Sequence, residues 1–407
     1  MSPRVLELLD LAFRWTHVIA GIMWIGNSLL FNWLDRNLRP ASRGGAEKYG
    51  EIWLLHSGAF YFVEKTSLSG QPLPTPVHWF KWQAYITWMS GAALLLVVYY
   101  IGGRALLTDP LRVSIAPSVA VTVAAGSIVI GWLSYEVLWR VVGQRSLTLA
   151  GILSIVTLAG IAFVLTSLLS GRAAFLHVGA LMASIMAGNV ATTIMPSQRV
   201  LESAVAAGQP PDPTIAAAAK TRSIHNNYLT FPVIALMLSV HFPSVYGSRL
   251  NWLALLLVIA VGAAVRHLLN IRSTYRPWAP TLGLTITGGL VALYAIMRVG
   301  AASSAGGVVA RGTESAALPA TVSFEDVRSI IDRRCTACHS ANPSITEFGP
   351  APGGVSFDDP RRIPALVERI RVRAVDTRTM PLGNRTLMTE RERAVLARWI
   401  EQGAVRK

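Results

Sequence analysis

Long apolar runs separated by short charged stretches fill residues 1–300, and the pattern then breaks into polar, charge-rich sequence over 320–407. A helix needs roughly 20 mostly apolar residues to cross a bilayer core. Seven stretches without Asp, Glu, Lys or Arg meet or approach that length: 15–34, 82–103, 113–135, 146–171, 173–198, 223–248 and 277–297. An eighth, 250–265, continues past Arg266 to Ile271. The pattern therefore predicts an all-α membrane domain of eight transmembrane helices over 1–299. Glu7, Asp10 and Arg14 interrupt the first run, and no small-residue cleavage site follows it, so it reads as a span and not a leader. Residues 52–63 (IWLLHSGAFYFV) are apolar but too short to span, which predicts an interfacial or re-entrant helix.

Small residues over 300–320 (GAASSAGGVVARGTESAALPA) predict a flexible linker. In the remaining domain, 321–407, Ser323 is placed to cap a helix FEDVRSIIDRR and a second helix fits 363–375. A third helix follows Thr389, which forms a capping box with Glu392.

Composition agrees with a membrane protein. Of 407 residues, 52% are hydrophobic and 14% charged, against about a quarter charged in an average soluble domain. Mean hydropathy is +0.45. The net charge of +15 is scattered between apolar runs, which excludes a nucleic-acid-binding stripe and fits the positive loops of a membrane protein. The loops after the odd-numbered helices hold most of the Lys and Arg, among them Arg36, Arg140, Arg199 and Arg272. Those after the even-numbered helices hold only Arg104, Arg112, Arg172 and Arg249. Positive loops face the cytoplasm, so both termini are expected on the periplasmic side of a bacterial inner membrane.

The two cysteines stand in Cys335-Thr336-Ala337-Cys338-His339. C-x-x-C-H is the spacing of covalent c-type haem attachment, with thiols one helical turn apart and a histidine placed for the iron. A zinc site would need two more ligands, and this domain has no other Cys or His. A thioredoxin-like site would need a βαβ setting. With no second histidine, a methionine remains for the other axial position. Met388 directly precedes the Thr389 cap and reads as the hydrophobic staple of that helix, whereas Met380 lies in the loop Thr379-Met380-Pro381. This order of elements resembles a class I cytochrome c, which implies His339 and Met380 as axial ligands of one haem c.

Histidine within a membrane helix is costly and points to function, although a lone one is most often a satisfied structural residue. His17, His177, His225 and His241 lie within spans. Trp15-Thr16-His17 with Gly26-Asn27 matches Phe175-Leu176-His177 with Gly188-Asn189, and His56 with Phe62 matches His225 with Phe231. The match suggests a parallel duplication, helices 1–4 on helices 5–8. His17, His56, His177 and His225 would then be two equivalent pairs able to bind a b-type haem, bind a metal or move protons. Asn226-Asn227-Tyr228 offers amide edges suited either to a planar heterocycle or to interhelical hydrogen bonds. Lys65 or an arginine is a candidate to hold an anion.

The opening helix RWTHVIAGIMWIGNSLLFNWLDR, eight spans, a Gly/Ser/Ala linker and a terminal C-x-x-C-H unit together resemble the bacterial membrane-bound urate oxidases, urate hydroxylases with a fused cytochrome c. The resemblance covers essentially the whole chain. It implies oxidation of urate to 5-hydroxyisourate in purine catabolism, with electrons passing through the cytochrome to an acceptor of the respiratory chain. The pattern His17…Trp24-Ile25-Gly26 is also similar to copper-resistance membrane proteins and to membrane-embedded bacterial protoporphyrinogen oxidases, which implies a further b-type haem beside His17. The alternative reading is a respiratory or quinol electron-transfer subunit without purine chemistry.

Overall fold

The computed structural model describes residues 3–41, 48–68, 72–101, 106–108, 113, 115–210, 212–306, 321–346, 352, 355–376 and 378–405. It is mostly helical. Eight long helices occupy the first 306 residues: α1 Pro3–Asn37, α2 Lys81–Ile101, α3 Pro117–Val141, α4 Leu147–Leu168, α5 Gly171–Ala206, α6 Pro213–Ser239, α7 Asn251–Ile271 and α8 Trp278–Gly306. All but α6 are long and apolar enough to cross a membrane. Lys220 and Arg222 lower the hydropathy of α6, and its apolar part begins only after them. The helices overrun the charge-free stretches at several ends. Helix α5 runs to Ala206, well beyond 198, because Arg199 and Glu202 are tolerated once the helix leaves the apolar region.

Helix starts follow local chemistry. Ser146 and Ser170 accept from the main-chain N–H of Leu149 and Ala173, and Asp212 does the same for Thr214 ahead of Pro213. Such caps satisfy main-chain donors that a helix start leaves open. Helix α5 is the centre of the bundle. It packs on α2, α3, α4 and α6, and 72% of its apolar window is buried, against none of the corresponding window of α8. Phe175, Met182, Leu165, Leu236 and Leu255 form the main core. Helix α1 lies chiefly against α2, and α6 bridges α5 and α7.

The segment 52–63 corrects the sequence expectation: it is not a helix. Strands β1 (Lys48–His56) and β2 (Ala59–Thr66) pair antiparallel, with His56 opposite Ala59. Ser57 and Gly58 both have positive φ, 52° and 78°, the two-residue hairpin turn that matches strand twist. Aromatic and β-branched residues on both sides, such as Trp53 tilted against Phe62 with ring centres 4.9 Å apart, favour strands there. The linker expectation is corrected in part: α8 extends through 300–306, and 307–320 lie outside the described residues.

The C-terminal unit keeps the expected order. Helix α9 spans Phe324–Arg334 behind a Ser323/Asp326 capping box, and α10 spans Glu390–Glu401 behind the Thr389/Glu392 box. Helical turns occupy 364–376. Val327, Ile331, Ile363, Met388, Leu396 and Trp399 make its core. Leu382 packs against the core of the bundle.

Candidate functional site

Three consecutive residues of α6 reach three different neighbours. At about 100° per residue, His225 turns to α3, where the Tyr135 hydroxyl lies 2.7 Å from its Nδ1 and the Trp139 ring packs at 4.0 Å. Asn226 turns to α5, where Asn189 Nδ2 donates to its Oδ1 at 2.9 Å and its own Nδ2 donates to Met186 O at 3.0 Å. Asn227 turns to α7 and accepts from Arg266 Nε at 3.1 Å and Asn270 Nδ2 at 2.7 Å. Asn189 also donates to the Tyr135 hydroxyl at 3.0 Å, which joins the first two contacts.

A buried ion pair borders this layer. Glu136 Oε2 lies 3.0 Å from Arg222 Nη2, both side chains under a tenth exposed, and Arg140 donates to the other carboxylate oxygen at 2.7 Å. The Arg222 guanidinium sits 4.9 Å from the centre of the Tyr135 ring. Burying two charges costs several kcal/mol each unless they are paired and hydrogen-bonded. Glu136 thus holds two arginines, and one of them lies over a ring bonded to His225, which joins the ion pair to the layer. Gly188 permits the close approach of Trp132 to α5 at the same level, where a Cβ would collide with the indole nitrogen.

Two cavities flank the layer. One, of about 370 Å³, is lined by largely apolar residues of α3, α4, α5 and α6, with His225, Tyr135, Trp139 and Tyr228 on its wall. The other, of about 170 Å³, lies between α1, α6 and α7 and is lined in part by Arg36, Arg266 and Asn270.

The four histidines singled out by the sequence are not brought together. His17 sits between α1 and α2, its Nδ1 2.8 Å from Thr87 O, over Gly91, where a Cβ would meet the imidazole. His177 lies 2.7 Å from Ala173 O through Nδ1 and 3.0 Å from the Tyr100 hydroxyl through Nε2, so both its nitrogens are engaged. Gly179 faces Leu236 and Asn189 faces Asn226, which fixes the antiparallel register of α5 on α6. His177 is therefore displaced from His225 by roughly 20 Å along the axes, at 1.5 Å per residue. His56 is exposed near the tip of the hairpin. The two-by-two arrangement is thus absent, and no group of three His, Cys, Asp or Glu able to hold a metal occurs among the described residues. Lys65 pairs with Asp35 at 2.6 Å on the surface. His241 is exposed, and His267 takes Tyr228 as partner at 2.7 Å.

Sequence reasoning missed Glu136, Arg222, Tyr135, Asn189, Arg266 and Asn270. One signal was available: Glu136 is the only acidic residue between Asp109 and Glu202. Arg266 likewise interrupts an otherwise uncharged helix.

In the C-terminal unit, Cys338 N and His339 N both point to Cys335 O, at 3.1 and 2.8 Å, in one tight turn after α9. The thiols are not joined in a disulfide. Burial pushes the Cys335 thiol up to about 12. His339 is half-buried. Its pKa is held below the usual value by burial, against the opposing pull of Val355 O, which lies 3.2 Å from Nδ1. With Nδ1–H given to that carbonyl, Nε2 keeps its lone pair for a metal. Arg393 anchors the Met380 loop through the carbonyls of Ala374 and Met380. Met388 is fully buried in the core, with its main chain braced by Asn384. Adjacent thiols, an imidazole oriented through Nδ1 and a half-buried Met380 on an anchored loop fit the donor set of a c-type haem.

Residues 3–298 match the family model described as urate oxidase N-terminal. No curated protein and no solved structure matches the chain.

Proposed function

The chain belongs to the urate oxidase N-terminal family, and from that premise we propose that it is a membrane-bound urate oxidase that passes electrons to a c-type haem of its own C-terminal unit. The family match over the whole bundle carries this reading; the C-x-x-C-H turn beside Val355 supports the electron acceptor. The helices α1 to α8 all span the membrane in this reading. The cation-rich end, with Arg36, Arg140 and Arg272, faces the cytoplasm, and the C-terminal unit faces the periplasm of a bacterial inner membrane.

Urate and water give 5-hydroxyisourate, two electrons and two protons. The bundle's task is to hold the purine, admit a water at C5 and take up the protons. His225 is the proton acceptor, an imidazole that can take a proton at one ring nitrogen and release it at the other. Tyr135 orients its Nδ1 and Asn189 in turn orients Tyr135. Glu136 and Arg222 fix the potential around this chain without touching the purine. The haem, held by Cys335, Cys338, His339 and Met380, would supply a one-electron acceptor, so each urate requires two deliveries. From there electrons leave to an acceptor of the respiratory chain.

The decisive measurement is anaerobic addition of urate to the purified oxidised protein while the haem spectrum is followed. Reduction of two haems per urate consumed is expected. A haem that stays oxidised overturns the reading. The apolar 370 Å³ cavity against His225 and Tyr135 favours a second one, a quinol-oxidising subunit. Reduction by a quinol analogue with no response to urate would select it.

A further inference from the structure

The 170 Å³ cavity between α1, α6 and α7 is walled by arginines, amides and aromatic side chains. Arg36 and Arg266 line it from opposite helices, and Arg272 stands at its rim. None of the three has an ion-pair partner among the described residues. The nearest acid in sequence, Asp35, is committed to Lys65 at 2.6 Å. Buried arginine without a carboxylate is costly, and Arg266 is only 6% exposed. Its Nε is spent on Asn227 and its guanidinium lies 5.4 Å from the centre of the Phe231 ring, while its two terminal nitrogens make no hydrogen bond among the described residues. Arg36 is fixed by Asn270 O at 2.6 Å and Asn32 Oδ1 at 3.2 Å.

The rest of the wall suits a flat ligand. Asn32, Asn37 and Asn270 supply amides, and Trp33 and Phe231 supply two aromatic walls. The cavity thus offers positive charge, amides and aromatic faces in a volume below the roughly 300 Å³ at which pockets for drug-sized ligands begin.

We propose that this cavity is the substrate site. It takes a small planar anion with both N–H and C=O edges, which on the reading above is urate. Arg266 and Arg36 bind the anionic carbonyl and ring-nitrogen edge, the Asn32 and Asn37 amides meet its N–H edge, and Phe231 and Trp33 flank the plane. The site opens at the cation-rich end, so substrate is drawn from the face opposite the C-terminal unit. Asn227, which holds Arg266 in place, lies two residues beyond His225 on α6; His225 faces α3 and lines the other cavity, so it takes up protons released from the site and does not touch the purine.

The test uses the full-length haem-loaded protein and urate itself. KM and kcat for urate-driven haem reduction are compared for wild type, Arg266→Gln, Arg266→Lys, Arg36→Gln, Leu269→Trp and the surface control Lys65→Gln. Losing a hydrogen bond to a charged group raises KM by about tenfold to a hundredfold in Arg266→Gln and Arg36→Gln. Arg266→Lys recovers part of it, and Lys65→Gln stays within twofold of wild type. Leu269→Trp fills the cavity without changing charge and likewise raises KM, which separates lost binding from misfolding; equilibrium dialysis of urate against the fully reduced protein gives the same order without turnover. If wild type responds to urate while Arg266→Gln and Leu269→Trp keep its KM, the site lies elsewhere and the urate reading stands. If wild type neither binds nor is reduced by urate, both fall together.

Discussion

Helices α1 and α2 form one kind of apolar region, and α3, α5, α6 and α7 form another. In the first, His17 gives its Nδ1 to a main-chain carbonyl, Thr87 O, and rests on a glycine. Around it the contacts are local and uncharged. In the second, His225 meets a phenol that is tied to an amide and capped by a guanidinium, itself paired with a buried carboxylate. The same residue type thus sits against a main-chain carbonyl in one place and in a chain of phenol, amide and ion pair in the other. The residue type alone is therefore no guide to the role; its partners are, and on the reading proposed above only the second histidine moves protons.

The largest way to break this contrast is Glu136→Ala. It strands Arg222 as a buried unpaired cation and is expected to cost about 3–5 kcal/mol, read as loss of monodisperse protein or a large drop in unfolding temperature. Glu136→Gln, which keeps the shape and loses the charge, should fall between it and wild type. A cost no greater than that of the exposed Lys65→Ala would show that the pair does not organise the region.

Next comes the comparison of histidines. His225→Ala should lower urate-driven haem reduction by at least about a hundredfold, the scale of a lost acid–base group. His17→Ala and His177→Ala should lose less than that, and the exposed His241→Ala almost nothing, with haem content unchanged in all four. A loss in His17→Ala equal to that in His225→Ala would merge the two regions into one centre. A pyridine haemochrome assay sharpens this further: it counts haem c and haem b per chain, and a haem b that disappears in His17→Ala would turn that histidine from a packed residue into a haem ligand.

In the C-terminal unit, Met380→Ala should abolish the Met–iron charge-transfer band while the haem stays covalently attached on a denaturing gel. An unchanged band would move the ligand elsewhere. The smallest effect concerns Glu392. Partial burial opposes its ionisation, but the Thr389 main-chain N–H and the Arg334 guanidinium outweigh this and hold its pKa below the ordinary 4.5. A carboxylate depressed in the folded state contributes stability that is complete above its unfolded pKa and is lost as pH falls through the folded one. Thr389→Ala should therefore cost about 1 kcal/mol at neutral pH and progressively less in acid, measured by chemical unfolding at pH 7 and pH 3.

Legibility in the sequence followed the distance between partners. The Ser323 cap and the Thr389/Glu392 capping box are written within four residues and were readable, although the part of Asp326 in the first was not. So were the apolar runs behind α1 to α5, α7 and α8; Met388, read as a staple, is a buried core residue, and the position a staple would meet is Arg393. The hairpin was misread because an apolar run of that length has no decisive period, although Ser57-Gly58 is a turn signal. The layer around α6 was mostly unreadable: Glu136 looks like the end of a span until Arg222 is seen beside it, and Arg222 looks like any loop cation. Nothing in Asn226-Asn227 tells that each faces a different helix.

The consecutive placement of His225, Asn226 and Asn227 also governs what kinds of change α6 accepts. A substitution at one of them severs one neighbour and leaves two. One extra residue between Pro213 and His225 would rotate all three by about 100°, sending the imidazole toward α5 and the amides toward α7 and α3 in a single step. Helix α6 is in this sense keyed: its length is fixed on the side of the Asp212 cap as firmly as its composition, and slack for insertions exists only before that cap, around Gly208.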